Sequence, residues 1–557
     1  MPKKLNILAI NANLINEIRP FFEKVPSAYL MALNTGQIME INFLKGKACH
    51  RLTFIVGCII ALGLPQRGTA QLFTDKNYVK ISPADKEADI IRKAANVTPS
   101  PRQLRWQQLE LTAFIHFGIN TFTNKEWGDG TEDPKIFNPE ELDARQWVKV
   151  CKDAGFKQVI LTAKHHDGFC LWPSKFTEHS VKNSPWKGGK GDIVKEVAEA
   201  CKAFGIGFGI YLSPWDRNSP YFGSMQYNDY FINQLTELLT QYGQIDEVWF
   251  DGANGEGPTG KKQVYEYSRW YSLIRKLQPL ATIAVSGPDV RWVGTETGYG
   301  RETEWSVVPG DQMIPEAIAA NSQKDADFAP RDLMSNDLGS REKIAKAKSL
   351  VWYPAEIDVS IRPGWFHHPA EDTKVKTPEK LMDIYYSSVG RNGVLLLNIP
   401  PDKKGKINDS DVNALKGFRK QLEETFENNL LKPATLKGST AKKTNLLFDG
   451  KDSSYWKTGK ADGNLVMEFQ LDKDHKFNLL LLQENLQIGQ RVEQFVLQYK
   501  EGNTWKKVTE GTTIGYKRLL RFPSVKAKEL RLTILSSRLQ PAIAEIGLYL
   551  RPEADVK

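Results

Sequence analysis

Between about residues 105 and 400 the sequence alternates between short strand-like runs and longer helical patterns. Most of the runs are apolar without strict alternation, which is typical of parallel strands buried on both faces. Eight such runs with helical patterns between most of them predict an α/β fold, a (β/α)8 TIM-type barrel. A doubly wound open sheet is the alternative, but no GxGxxG motif follows the first run. The predicted strands are Leu111–Ile119, Gln158–Ala163, Gly207–Leu212, Glu247–Phe250, Thr282–Ser286, Glu304–Val308, Val351–Ile357 and Val394–Ile399.

The segments between these runs carry helix signals. In Asp143–Ala154, apolar residues recur at helical spacing and a glycine follows the last turn. Asp192 is a plausible N-cap for a helix that ends before Gly205, and Pro378 occupies an N1-like position. The other predicted helices are Asn228–Tyr242 and Gln263–Leu277.

A second compositional regime begins near residue 435. Short alternating segments are separated there by Gly, Asn and Asp, a pattern that predicts an antiparallel β-sandwich. The helix-like stretch Asp409–Glu427 connects the two regimes, so we expect a barrel over residues 71–430 and a sandwich over residues 431–557. The predicted strands of the sandwich are Leu465–Leu471, Leu479–Gln483, Gln494–Tyr499, Leu519–Phe522, Glu529–Ile534 and Ile546–Leu550.

Residues 1–70 resemble a targeting segment with extra residues in front. After Met39 come basic residues, the apolar stretch Leu52–Leu64 and small residues ending at Ala70. This order predicts translation from Met39, cleavage after Ala70 and bacterial-type export to the periplasm or cell surface. A single N-terminal anchor helix is the alternative, although the apolar stretch is shorter than a typical membrane span. We expect no stable membrane insertion after the signal is removed.

Charge and cysteine content exclude several classes of protein. The net charge is +9, but Lys and Arg are scattered rather than blocked, so the sequence does not indicate a nucleic-acid partner. Cys151, Cys170 and Cys201 remain after the predicted signal and lack CxxC spacing, so we expect free thiols rather than a disulfide framework or a zinc site.

Asp251 directly follows the predicted strand Glu247–Phe250 and is itself followed by a glycine. A carboxylate inside a buried strand would be costly, whereas at the carboxyl end of a barrel strand it can face the site where such folds place their chemistry. By itself it could equally cap the next helix. Polar and aromatic residues also follow several other predicted strands, including His116 and Tyr211, and in a barrel these ends converge on one face.

This residue set suits a sugar. Aromatic faces pack against the C–H faces of a pyranose, and neutral polar groups bind its hydroxyls. Two carboxylates on different strand ends suit glycoside hydrolysis. A metal site built from His116 with His165, His166 and Asp167 is the alternative, but adjacent residues on a strand point to opposite faces. We therefore expect no metal and no cofactor at this site.

Several motifs together make the stretch from about 100 to 550 similar to glycoside hydrolase family 29, the retaining α-L-fucosidases. They are His116-Phe117-Gly118, Glu126-Trp127-Gly128, Lys164-His165-His166-Asp167-Gly168-Phe169, Tyr211-Leu212-Ser213-Pro214-Trp215 and Trp249-Phe250-Asp251-Gly252. The resemblance implies a fucosylated oligosaccharide or glycoconjugate substrate and gives Asp251 the role of nucleophile. It also implies a set of substrate-binding residues: His116, Glu126, Trp127, His165, His166, Tyr211, Trp249 and Trp365.

The acid/base residue varies within that family. One subgroup places it in Arg-Trp-x-Gly-Asn-Glu, which is similar to the segment Arg291–Glu296 here, with Thr in place of Asn. This similarity implies Glu296 as acid/base, with Glu302, Glu304 and, more distantly, Glu256 as rivals. The subgroup comprises α-1,3/1,4-fucosidases, which act on branched, Lewis-type glycans.

The segment Leu447–Trp456 is similar to an early loop of galactose-binding-like, discoidin-type sandwiches. Such modules brace a catalytic domain, bind sugar or bind calcium, and the sequence leaves these roles open. Two other functions of the whole chain also stay open: a carbohydrate-binding protein that has lost activity, and a retaining glycosidase for a different sugar.

Overall fold

The computed structural model describes residues 76–311, 336–437, 441–456 and 465–552. The predicted start at Met39 and the predicted cleavage after Ala70 lie outside these residues. Within the described residues, no helix combines the length and the apolar character that a membrane crossing requires.

Seventeen strands, numbered in chain order, form three sheets within the described residues. Eight of the first eleven build a parallel sheet in the order β6-β5-β4-β3-β2-β11-β10-β7, which is a nearly closed barrel. These first strands are β1 (Tyr78–Lys80), β2 (Leu111–Ile115), β3 (Gln158–Lys164), β4 (Gly207–Leu212), β5 (Glu247–Phe250), β6 (Thr282–Val285), β7 (Arg291–Trp292), β8 (Val307–Pro309), β9 (Ser349–Trp352), β10 (Ala355–Ser360) and β11 (Val394–Asn398).

The predicted barrel strand Glu304–Val308 is wrong. The strand in that region, β8, instead pairs antiparallel with β9 in a small three-stranded sheet that also contains β1. The two-residue strand β7 takes the place in the barrel and pairs with β10. Since β7 is so short and contains Arg291, it lacks the apolar run that marks the other strands.

The predicted strand Val351–Ile357 is also wrong as a single element. It divides at Tyr353 and Pro354 into β9, which belongs to the small sheet, and β10, which belongs to the barrel. Proline has no backbone N–H to donate to a sheet, so a break at Pro354 is expected on physical grounds.

Helices cover the barrel strands in the order expected for this fold. Asp143 accepts a hydrogen bond from the Gln146 amide, and Asp192 from the Lys195 amide, so both act as N-caps. Only residues 286–290, without a helix, separate β6 from β7. The helices are α1 (Glu87–Asn96), α2 (Pro101–Gln107), α3 (Ile119–Thr123), α4 (Ala144–Asp153), α5 (Ile193–Phe204), α6 (Met225–Gln241), α7 (Tyr267–Leu277), α8 (Arg341–Ala345), α9 (Pro378–Ser387), α10 (Asp409–Phe426) and α11 (Ala441–Thr444).

The remaining strands form one antiparallel sheet, which we call the C-terminal domain together with its connecting segments. Alternate residues of its long strands, such as Leu465, Met467 and Phe469, are buried in a separate apolar core. The predicted pairs of short strands merge here into two continuous strands with bulges. The strands are β12 (Thr435–Leu436), β13 (Leu465–Glu484), β14 (Val492–Glu501), β15 (Thr504–Gly511), β16 (Arg518–Ser537) and β17 (Ile543–Tyr549).

The barrel interior is filled by large side chains from alternate strand positions. Phe114, Tyr211 and Trp249 pack there with Ile160 and Leu396. The three cysteines in the described residues are buried free thiols, as predicted. The packed interior leaves the carboxyl ends of the strands as the place for a site.

Candidate active site

One pocket lies at the carboxyl ends of the barrel strands. It brings together the ten residues predicted as catalytic or substrate-binding, from six strands and the loops that follow them. Three further lining residues, Phe114, Ala253 and Asp358, were not predicted. The predicted lining residues are His116, Glu126, Trp127, His165, His166, Tyr211, Trp249, Asp251, Glu296 and Trp365.

Asp251 directly follows β5, and two donors hold its carboxylate. The Tyr211 hydroxyl donates to Oδ2 over 3.0 Å, and the Ala253 amide donates to Oδ1 over 2.7 Å. Nε2 of His166 lies 3.8 Å from Oδ2. Burial raises the pKa of Tyr211 well above its ordinary value, so this hydroxyl stays a donor. The side chain of Asp251 is 25% exposed, which leaves the carboxylate accessible from the pocket.

Glu296 lies in the loop after β7, on the same pocket. The Trp365 indole Nε1 donates to its Oε2 over 3.2 Å. Its neighbours Thr295 and Thr297 are exposed, whereas Gly294 and Gly298 on either side are buried. The loop therefore presents the carboxyl group of Glu296 from an exposed tip between two buried positions.

The rival glutamates lie elsewhere. Glu304 is buried in an ion pair with Arg291 and contacts Arg301 at 3.3 Å. Glu302 is exposed and pairs with Arg391 and Arg518. Among the described residues, the pocket lining includes neither of them, nor Glu256.

The three pocket histidines are buried and neutral at neutral pH. Burial lowers the pKa of His116 to about 3, that of His165 well below its ordinary value, and that of His166 in the same direction. An imidazole that is neutral offers one donor and one acceptor, which is the combination that a sugar hydroxyl can use.

Hydrogen bonds fix the tautomer of two of these rings. Asn398 Oδ1 accepts from both the backbone amide and Nδ1 of His116, at 3.2 and 2.9 Å. The Ser213 hydroxyl donates to the Trp215 carbonyl and lies 2.8 Å from Nδ1 of His166, which must then be the donor. Both rings are left with Nε2 as an acceptor.

Glu126 links two loops around the pocket. Its Oε2 accepts from the Trp365 amide over 2.8 Å and its Oε1 from the Phe366 amide over 3.2 Å. His368 Nε2 lies 2.6 Å from Oε1 as well. Glu126 thereby holds the segment that carries Trp365, whose indole contacts Glu296.

Aromatic rings form the floor and one wall. Tyr211 stacks on Trp249 with ring centroids 5.2 Å apart, and the Trp249 indole donates to Glu356 over 2.6 Å. Trp127 is 53% exposed at the rim and meets Trp215 edge to face. An apolar floor with an exposed indole at the mouth suits the C–H faces of a sugar.

Asp358 is a lining residue with a carboxyl group that was not predicted from the sequence. It is buried in β10, accepts from the Trp292 indole over 2.8 Å, and burial raises its pKa well above its ordinary value. The signal was present, because Glu356, Asp358 and Ser360 alternate with apolar residues. This two-residue period places all three on the inner face of the barrel.

No group of three or more His, Cys, Asp or Glu side chains is arranged to hold a metal ion in the part of the chain that the structure describes. The expected lack of a cofactor and the possible calcium of the C-terminal domain stay predictions. In that domain Glu545 accepts from the Gly450 amide over 2.6 Å and Asp449 from Lys451 over 2.9 Å.

The arrangement is competent for glycoside chemistry. Two carboxyl groups from different strand ends face one pocket, neutral imidazoles offer hydrogen bonds, and aromatic rings provide the floor. The lining residues include no cysteine and no lysine, so they offer neither a nucleophilic thiol nor a primary amine.

Comparisons with known proteins agree with this chemistry. The profile of the α-L-fucosidase family matches residues 105–425, and that of the F5/8 type C domain matches residues 433–546. The chain is 43% identical over 465 residues to α-L-fucosidase 1 of Arabidopsis thaliana, covering 81% of this chain and 87% of that protein.

Solved structures give the same result. A crystal structure from Bacteroides ovatus, assigned as an α-L-fucosidase, has a TM-score of 0.76 and 50% identity, covering 85% of this chain and 78% of that one. A glycoside hydrolase family 29 fucosidase of Ruminococcus gnavus, solved in complex with fucose, has a TM-score of 0.72 and 31% identity, covering 88% and 99%.

Proposed function

The chain belongs to glycoside hydrolase family 29, the α-L-fucosidases, and we propose that it is a retaining exo-α-L-fucosidase acting on α-1,3/1,4-fucosylated, Lewis-type glycans. Membership of this family supports the fucosidase activity itself. We further propose the retaining mechanism, the roles of the individual residues and the linkage that is cleaved.

The observation that carries the mechanism is the placement of Asp251 and Glu296 on one pocket. Asp251 is held by two donors, as suits a nucleophile that must keep one orientation. Glu296 lies in the loop after β7 and lines the same pocket, as suits an acid/base residue. A retaining pair requires carboxyl groups about 5–5.5 Å apart, so that both can reach the same glycosidic bond.

In the first step an oxygen of Asp251 attacks C1 of the fucosyl residue. The bond from C1 to the glycosidic oxygen breaks, and Glu296 donates its proton to that oxygen. The products are a fucosyl ester on Asp251 and the defucosylated glycan, with Glu296 now a carboxylate.

In the second step Glu296 takes a proton from water. The hydroxyl oxygen attacks C1, the bond from C1 to Asp251 breaks, and L-fucose leaves with its original anomeric configuration. Glu296 is again protonated and Asp251 is again a carboxylate, so the cycle closes without a cofactor.

Recognition of the fucose ring is assigned to the neutral histidines and the aromatic floor. His116 and His166 each keep Nε2 as an acceptor for a ring hydroxyl. Hydrogen bonds of this kind can strengthen as positive charge develops at the anomeric carbon, which lowers the barrier. The fucose held in the Ruminococcus gnavus relative supports this choice of sugar.

The linkage is supported by the segment Arg291–Glu296, which resembles the acid/base motif of α-1,3/1,4-fucosidases. The pocket lining also includes an exposed tryptophan, Trp127, whose ring suits contact with a sugar.

The test is the release of free L-fucose from a Lewis-type trisaccharide, measured beside a simple aryl α-L-fucoside. Release from the trisaccharide with little from the aryl compound supports the proposed linkage. Strong aryl turnover without preference for the branched glycan would reject the linkage and reopen the acid/base assignment. No fucose from either would reject the proposed function.

Export is a separate proposal, supported by the sequence pattern from Met39 to Ala70. Mass spectrometry of the mature protein should find Gln71 at the N-terminus. A mature protein that retains the residues before Ala70 would contradict the signal peptide.

A further inference from the structure

The loop that carries Glu296 connects β7 to β8, and its first half is tied to the barrel. The Val293 amide donates to the Glu356 carbonyl over 2.9 Å, and the Gly298 amide donates to the Asp358 carbonyl over 3.2 Å. These bonds fix the backbone on both sides of Glu296 against β10. The exposed tip between them has no strand of its own.

The second half of the same loop is held by the C-terminal domain as well as by the catalytic domain, where Asn392 donates to the Glu304 carbonyl over 3.2 Å. Gln490, which is fully buried, donates from Nε2 to the Glu304 carbonyl over 3.0 Å. Its Oε1 accepts from the Ser306 amide over 2.8 Å. One side chain of the C-terminal domain thus satisfies two backbone groups of a catalytic-domain loop, in a register that a shifted loop could not keep.

Neighbouring residues of the C-terminal domain extend this contact. Thr513 Oγ1 accepts from the Glu304 amide over 3.1 Å. Arg518 donates from Nη1 to the Glu302 carbonyl over 2.7 Å and contacts its carboxylate at 3.2 Å. Thr303 donates to the hydroxyl of Thr512 over 2.8 Å.

We propose that the C-terminal domain positions the acid/base loop through Gln490, Thr513 and Arg518, so that proton donation by Glu296 depends on a domain that does not touch the substrate pocket. The inference rests on the proposed function, with Glu296 as acid/base. These three are positioning residues, since no described atom of theirs lines the pocket.

The physical reason is the short range of proton transfer. A general acid acts from hydrogen-bond distance, about 2.6–3.2 Å from the glycosidic oxygen, and a displacement of about 1 Å can cost roughly a hundredfold in rate. Glu296 stands on an exposed tip, so its position depends on where the two ends of the loop are fixed. The barrel holds the loop at Val293, Gly298 and Gly300. The bonds of the C-terminal domain to residues 302–306 hold the segment into which the loop continues.

The test compares Gln490→Ala with Asn478→Ala. Asn478 is a buried amide of the same domain that bonds both backbone groups of Arg551, away from the Glu296 loop. We measure kcat/KM for α-L-fucosides with leaving groups of increasing basicity. Because an activated leaving group needs little protonation, Gln490→Ala should lose about tenfold or more on the most basic leaving groups and little on the most activated ones.

This selective loss separates positioning from general destabilisation, which would lower kcat/KM for every substrate alike. Asn478→Ala should show no dependence on the leaving group. Equal losses across the series for Gln490→Ala, or no loss, would overturn the proposal. Thr513→Val, which is nearly isosteric, should repeat the selective pattern more weakly and provides the same test if Gln490→Ala does not fold.

The proposed function fails in a different way. A wild-type protein that releases no fucose from any substrate, or a Glu296→Ala variant without leaving-group dependence, would reject the activity or the acid/base assignment themselves. If the wild type is active and the loss in Glu296→Ala depends on the leaving group, the activity and the acid/base assignment stand. The result for Gln490→Ala then tests the contribution of the C-terminal domain alone.

Discussion

The hydroxyl of Tyr211 donates a hydrogen bond to Oδ2 of Asp251 over 3.0 Å. Tyr211→Phe removes this bond but keeps the ring that stacks on Trp249. A hydrogen bond to a charged group contributes about 1.5–3 kcal/mol, so turnover should fall by roughly ten- to a hundredfold. Because Asp251 becomes a poorer leaving group without the donor, the second step should slow most. Rapid-quench kinetics should then show the fucosyl-enzyme accumulating.

Tyr230→Phe is the matched control. The Tyr230 hydroxyl is also buried and accepts from Gln234 over 2.9 Å, but it lies outside the pocket. Its activity should stay close to that of the wild type. If Tyr211→Phe and Tyr230→Phe show the same turnover, the hydrogen bond from Tyr211 to Asp251 does not contribute to catalysis.

Glu296→Ala should reduce turnover of substrates with basic leaving groups by about a hundredfold or more, with a smaller loss for activated aryl fucosides. Added azide should restore activity and yield a fucosyl azide of retained configuration, since a small nucleophile fits the space of the missing carboxylate. Steady-state kinetics and NMR of the product measure both effects. Glu256→Ala, an exposed glutamate outside the pocket, is the control, and a flat response to the leaving group in Glu296→Ala would point to another acid.

Much of the fold could be predicted because its signals are local. The strands Gly207–Leu212 and Glu247–Phe250 occur as predicted, and Asp192 caps the helix expected after it. β7 could not be found in this way, since two residues carry no periodicity and the strand exists only through pairing with β10. The small sheet likewise depends on partners far apart in the chain, Tyr78 and Val351 among them.

Most residues of the pocket could be predicted for the same reason. The glutamate that reaches the pocket from the loop after β7 could not be predicted from local signals. Strand-end positions and motifs brought His116, Asp251 and the other predicted residues to one place. The choice among Glu296, Glu302 and Glu304 depended on side-chain direction within one irregular loop. The two rivals instead form ion pairs, Glu304 with Arg291 and Glu302 with Arg391, which sequence spacing does not reveal.

Asp167 links stability to pH. Burial raises its pKa from 3.8 to about 7, so the folded protein keeps a proton that the unfolded chain loses. The stability that this group contributes is therefore fully present below about pH 4 and is lost as pH rises through about 7. Asp167→Asn keeps an oxygen that accepts the hydrogen bond from the Phe169 amide. Because asparagine does not ionise, the variant does not lose this stability as pH rises.

Relative to the wild type, Asp167→Asn should therefore gain up to about 1.4 kcal/mol of unfolding free energy per pH unit between pH 4 and 7. Denaturant unfolding at several pH values measures the difference. Parallel curves for the two proteins across this range would mean that Asp167 ionises alike in the folded and unfolded states.

As the proposed nucleophile, Asp251 forms a covalent bond to fucose during turnover. Incubation with 2-deoxy-2-fluoro-α-L-fucosyl fluoride, followed by peptide mass spectrometry, tests it most directly, because the fluorine slows the second step and traps the ester. We expect one fluorofucosyl adduct per chain, on the peptide containing Asp251, and none in Asp251→Ala. An adduct on another carboxylate, or hydrolysis of the reagent by an unmodified enzyme that inverts the anomeric configuration, would contradict it.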